Sequence, residues 1–182
     1  MDDIIDRHRK ACEGFSAIVR LADGCWENPS PCSEWNARDV VEHVMGFHDV
    51  LLLRPMETKP THPKGDPVAR WTVTVPAIFS AMDLASSVGS EEVSKSSDLH
   101  LDRLLPMLTT DVLVHTWDLA RAVGVDPQLD PELCEVSYET VRPNDERLRA
   151  SGMFDPALAV PAGADVNSRL VAFLGRNPEW TP

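Results

Sequence analysis

The stretch LTTDVLVHTWDLARAVG (residues 108–124) decides the fold of this chain. Leu108, Val112, Leu113, Val114, Leu119 and Val123 fall on more than one side of a helical wheel, so a helix here keeps little solvated face. A helix that is apolar nearly all round belongs in the interior of a bundle. Two polar side chains, Asp111 and His115, interrupt the pattern. At i and i+4 they share one helix face, with Cβ atoms about 5–6 Å apart. Burying a carboxylate and an imidazole among aliphatics costs free energy unless they are paired or bound to a metal.

Working outward, this helix starts near residue 102, with Asp102 as the candidate cap and Pro106 near its first turn, and Gly124 ends it. Upstream, Ile4, Ile5, His8, Ala11, Cys12, Phe15, Ile18, Val19 and Ala22 recur at three- and four-residue intervals and predict a first helix over 3–22. After the Pro- and Ser-rich loop 26–35, Asn36 with Asp39 three residues on reads as a capping box. The second helix then carries the stripe Val40, His43, Val44, Phe47 and Leu51 and stops at Pro55. Residues 55–67, with four prolines, are a loop. A third helix covers about 67–86, kinked or starting late because of Pro76. Residues 86–100, rich in Ser and Glu, read as an exposed connection. Downstream, Asp130-Pro131 starts a fifth helix reaching about Leu148, residues 151–164 are irregular, and a short last helix runs from Asp165 to Gly175. The expectation is all-α: a four-helix bundle with additional short C-terminal helices, one domain over 1–182.

Composition narrows the function. The formal net charge is −12, and no cluster of Lys and Arg is present to displace counterions from phosphate. Nucleic acid and anionic membranes are therefore not expected partners. No run of about 18 apolar residues suggests a transmembrane helix. The charged, amphipathic N-terminus lacks a signal-peptide core, which argues for the cytoplasm. Cys12, Cys25, Cys32 and Cys134 form no C-x-x-C pair and read as free thiols in a reducing compartment, Cys32 being the one placed for partial exposure.

The histidines divide by position. His43 is the polar residue in the stripe of the second helix. Two imidazoles and one carboxylate on facing helices of a bundle, His43 with Asp111 and His115, make a common catalytic zinc set with a position left for water or substrate, and they also suit iron or nickel. Asp118 shares the Asp111–His115 face and reads first as the acceptor that orients a ligating histidine. An internal Asp–His hydrogen-bond network is the competing reading. His48, five residues after His43, turns off that face and is expected to be exposed. His8 lies on the apolar face of the first helix, within reach of the site; His62 and His100 are expected in solvent-facing loops. Arg121 belongs at the bundle rim, and Trp35, Trp71 and Trp117 are candidates to wall a pocket or pack the core.

Three phrases carry a resemblance: PCSEWNARDVVEHVMG (31–46), DVLVHTWDLARAVG (111–124) and GRNPEW (175–180). Together they resemble the DinB/YfiT-like proteins, in an actinobacterial branch related to the metal-binding domain of mycothiol-dependent maleylpyruvate isomerase. The resemblance implies a bundle holding a divalent metal through His43, Asp111 and His115, the middle ligand being Asp where the isomerase has Glu. It also implies a metal-dependent enzyme that uses a low-molecular-weight thiol for S-transfer or isomerisation of a small-molecule electrophile. The alternatives are a hydrolase using metal-bound water, or a metal- or ligand-binding module without turnover. Catalytic residues beyond the metal ligands are not identified by the sequence. A homodimer is the base-rate expectation.

Overall fold

The computed structural model describes residues 2–87, 99–152 and 154–182. Helix α1 spans Asp2–Leu21, α2 Ala37–His48, α3 Pro67–Ser87 and α4 Leu101–Val123. The shorter α5 (Pro131–Val141), α6 (Asp145–Ala150) and α7 (Val166–Phe173) follow. The described residues contain no strand beyond an isolated bridge between Pro29 and Asn36. Helix α1 packs on α3 and α4, and α2 packs on the same two, so the four long helices close a ring; α5 and α7 pack against each other and against α4. This is a four-helix bundle of the DinB-like kind with short helices added along one side.

Helix α4 is central because it is covered from both sides. Every residue from Leu108 to Ala120 is buried, under α1 and α2 on one side and α5 and α7 on the other. Burial at consecutive positions is what the all-round apolar pattern demands. Gly124 closes the helix in the left-handed region at φ 81, where its N–H reaches back to the Ala120 and Arg121 carbonyls. The start differs from expectation: His100, not Asp102, is the N-cap residue and makes no side-chain cap bond, while Pro106 lies inside the helix.

Helix α2 begins as its capping box predicts. The Asn36 side chain accepts from the Asp39 N–H, and the Asp39 carboxylate accepts from the Asn36 N–H, each at 3.0 Å. Its far end is unexpected. After His48 the chain continues as a π-helical turn, Asp49–Leu53. The fully buried face runs through Val41, Val44, His48 and Leu52, while His43, Phe47 and Leu51 are only partly covered. Adjacent valines at 40 and 41 let the stripe be drawn one residue off, and His48 is thereby misread as exposed. Helix α3 runs continuously through Pro76. The fifth helix, expected to reach Leu148, is divided at Pro143: α5 ends at Val141, a 3₁₀ turn spans Arg142–Asn144, and α6 follows. Most of the connection expected over 86–100 lies outside the described residues.

Candidate metal centre

Three side chains meet between α2 and α4, near the middle of both. Asp111 and His115 project from one face of α4, one turn apart, and His43 reaches them from α2. The His43 Nε2–H donates to Asp111 Oδ1 at 3.1 Å, and His115 Nε2 lies 3.5 Å from the same oxygen. The two imidazole centroids are 4.6 Å apart. One ligand atom from each residue falls within 4.8 Å of the others. Donor atoms held at about 2.0–2.2 Å by one tetrahedral ion stand about 3.3 Å from each other, so these separations fit a shared cation with little movement.

The electrostatics point the same way. Asp111 is 7% exposed. Its Oδ2 is buried and has no hydrogen-bond partner. An ionised carboxylate oxygen left bare in the interior is costly, and a positive charge beside it removes the cost. Burial by itself would raise the Asp111 pKa. His115 and His43 outweigh that effect and hold the carboxyl well below the usual carboxylate range. For His115, burial works to lower the pKa, but Asp111 and Asp118 prevail and hold it up at about 9.

Outer partners fix the geometry. His115 Nδ1–H donates to Asp118 Oδ2 at 2.9 Å, which turns Nε2 toward Asp111. Asp118 is fully buried and receives two further bonds from the Arg176 guanidinium, at 2.9 and 3.3 Å. Burial would raise the Asp118 pKa; Arg176 and His115 reverse this and lower it. Asp118 therefore serves as the acceptor behind His115, as its spacing suggests. Arg176 was not singled out from sequence. The signal lay in the GRNPEW tail, where Gly175 takes φ 87 and a Cβ would stand 2.7 Å from the Asp155 Cβ. That close approach is what lets the chain carry Arg176 inward.

Trp35 forms the wall of the site, its ring centroid 4.8 Å from His43 and 5.6 Å from His115. Phe47 also stacks on His43, its ring centroid 5.3 Å away. With its side chain 28% exposed, His43 marks where solvent reaches the trio.

The pattern of the mycothiol maleylpyruvate isomerase N-terminal domain family matches residues 8–120, more than half the chain. The chain belongs to this family. All three residues of the trio lie inside the matched span. Two similar relatives are the uncharacterized proteins Rv0738 and MT0763 of Mycobacterium tuberculosis, strains H37Rv and CDC 1551. Each is 29% identical over 191 residues, covering 96% of this chain and 98% of the relative. No solved structure matches the chain.

The remaining candidates fall elsewhere. His8 is buried but does not join the trio. Together with His48, which is also fully buried and so corrects the sequence expectation, it meets Cys12 in a second cluster. Arg121 donates to the Pro178 carbonyl and covers Trp117 at the edge of a cleft of about 640 Å³, which none of the trio lines. Trp71 is core, its indole N–H donating to Ser16. His100 is exposed as expected, whereas His62 is half-buried. Cys32 is half-buried, and burial pushes its thiol up to about 11, which removes it as a ready nucleophile. No helix among the described residues is long and apolar enough to cross a membrane.

Proposed function

We propose that His43, Asp111 and His115 hold a divalent metal, zinc or a borderline relative such as nickel or iron, and that the protein is an enzyme using a low-molecular-weight thiol. The observation that carries the metal is the convergence of both imidazoles on Asp111, whose second carboxylate oxygen is buried with no hydrogen-bond partner. Nitrogen and carboxylate donors suit this group of metals. The family supports the thiol, since its name joins mycothiol to an isomerase.

When bound, a divalent cation lowers the pKa of a coordinated thiol and yields a thiolate near neutral pH. The chain's own groups set up the rest. Asp118 and Arg176 hold the His115 ring so that Nε2, not Nδ1, faces the site. Three protein donors leave a tetrahedral ion a position free for an exchangeable ligand. Trp35 and Phe47 flank the open side at His43 and offer apolar surface to a small electrophile while limiting water. The reaction class is S-transfer or thiol-assisted isomerisation.

Metal analysis of the wild type beside His43→Ala and His115→Ala tests the site. Each substitution is expected to remove most of the metal bound there and to leave the helical circular dichroism intact. A cobalt-substituted wild type should change its visible spectrum when mycothiol is added. Retention of full metal content in both variants overturns the ligand assignment; a cobalt spectrum indifferent to thiols overturns the thiol.

A further inference from the structure

Deeper in the bundle, two imidazoles face each other in a way hydrogen bonding leaves unsatisfied. His8, from α1, and His48, the last residue of α2, are both fully buried. The Thr109 hydroxyl lies 2.7 Å from the Leu105 carbonyl and spends its one proton there. The same oxygen must then accept from His8 Nδ1, 3.0 Å away. On the other ring, His48 Nδ1 lies 2.6 Å from the Val44 carbonyl, which can only accept. A neutral imidazole carries one N–H, so both Nε2 atoms present lone pairs. Those lone pairs are 3.0 Å apart. Cys12, one turn along α1 from His8, brings Sγ to 3.6 Å from His8 Nε2. Its single S–H can satisfy one nitrogen and not both.

A proton shared between the rings is disfavoured. Burial, then the neighbouring His48, pushes the His8 pKa well below the usual histidine value, and burial lowers His48 as well. A metal cation answers the same geometry. Nitrogen and sulfur ligands of one tetrahedral ion, at about 2.0 and 2.3 Å, stand about 3.6 Å apart. The three donor atoms here lie within 4.8 Å of one another. Both histidines have their Nδ1–H anchored to an oxygen, as ligating histidines do.

We propose that His8, Cys12 and His48 form a second, fully buried site, separate from the His43–Asp111–His115 trio, for a thiophilic cation, Cu(I) or Zn(II). On binding, the two Nε2 lone pairs and the Cys12 thiolate go to the cation, and the Cys12 proton leaves to solvent. Thiolate and imidazole together select such soft ions over Mg²⁺ or Ca²⁺. A monovalent ion leaves the buried group neutral, since its charge cancels that of the thiolate. A divalent one leaves a single buried positive charge, so the charge balance favours the monovalent ion. The ion would tie α1 to α2 and, through Thr109, bear on α4. All three donors are fully buried, away from solvent and substrate, and the role that fits such a place is structural.

The full chain, stripped by a chelator, tests the proposal by titration with Zn(II), with Co(II) as spectroscopic stand-in, and with Cu(I) against a competing chelator. The wild type is expected to take up about two equivalents of Co(II) or Zn(II). The His43→Ala/His115→Ala double variant should keep about one, together with a near-ultraviolet thiolate-to-cobalt charge-transfer band. Cys12→Ala should lose the band and keep the trio's equivalent. A double variant that binds neither Cu(I) nor Zn(II) and shows no band overturns the second site; so does a band that survives Cys12→Ala. The decisive measurement keeps Cys12 in place, so it stands even if Cys12→Ala fails to fold. Loss of the trio alone would leave the band untouched, which separates failure of this proposal from failure of the first.

Discussion

At the level of single residues, Asp118 bears the largest structural burden near the site. It is fully buried, it orients His115, and it is the counter-ion of the nearly buried Arg176. Removing one partner of a buried ion pair strands the other charge and costs about 3–5 kcal/mol. Asp118→Ala is therefore expected to destabilise the protein by about that amount in urea unfolding. Arg176→Met in the same chain should recover a substantial part, because the stranded cation is gone; strict additivity of the two losses would contradict the pairing. The same residues show how far the sequence can be read. Asp111, His115 and Asp118 announce themselves because they interrupt an apolar helix at shared-face spacing. Arg176 does not, since an Arg in a Gly- and Pro-containing tail looks solvated until the fold folds that tail inward. His48 is misplaced for another reason: with valines at both 40 and 41, the apolar stripe of α2 can be drawn one residue off the face that is fully buried.

At the scale of elements, punctuation residues predicted boundaries well where they act locally. Asn36 with Asp39, Gly124, Asp130-Pro131 and Asp165 all start or stop helices at the expected places, because capping depends on neighbours within a turn. Pro143 and the π turn at Asp49–Leu53 were missed. The first divides a helix that periodicity alone would continue, and the second arises from packing that no local signal encodes. The Asn36 box gives a clean test of such local contributions. Asn36→Ala should cost about 1 kcal/mol in thermal or urea unfolding, the usual worth of a cap. Metal stoichiometry should stay at the wild-type value, because His43 sits two turns further on and is held by α4. A loss of metal with the cap would mean that the start of α2 positions the site directly.

Over the whole molecule, the distribution of the donors has a thermodynamic consequence. His43 lies 68 residues from Asp111, on a different helix of the bundle. The second cluster likewise draws on α1 and α2, with Cys12 and His48 far apart in sequence. No stretch of unfolded chain can present either set, so a cation that binds the native state and not the unfolded one stabilises by mass action. At free metal about a hundredfold above its dissociation constant the gain is about 2.7 kcal/mol for one site. In a chain of this size that corresponds to a rise of roughly 5–10 °C in midpoint. Zinc added to the chelator-stripped protein should therefore raise Tm by about this much per occupied site in scanning calorimetry. His43→Ala should lose the trio's share, and Cys12→Ala the share of the second cluster. An unchanged Tm in the wild type at saturating zinc would mean that neither group of side chains holds a cation, and that each is a hydrogen-bonded core cluster of the bundle.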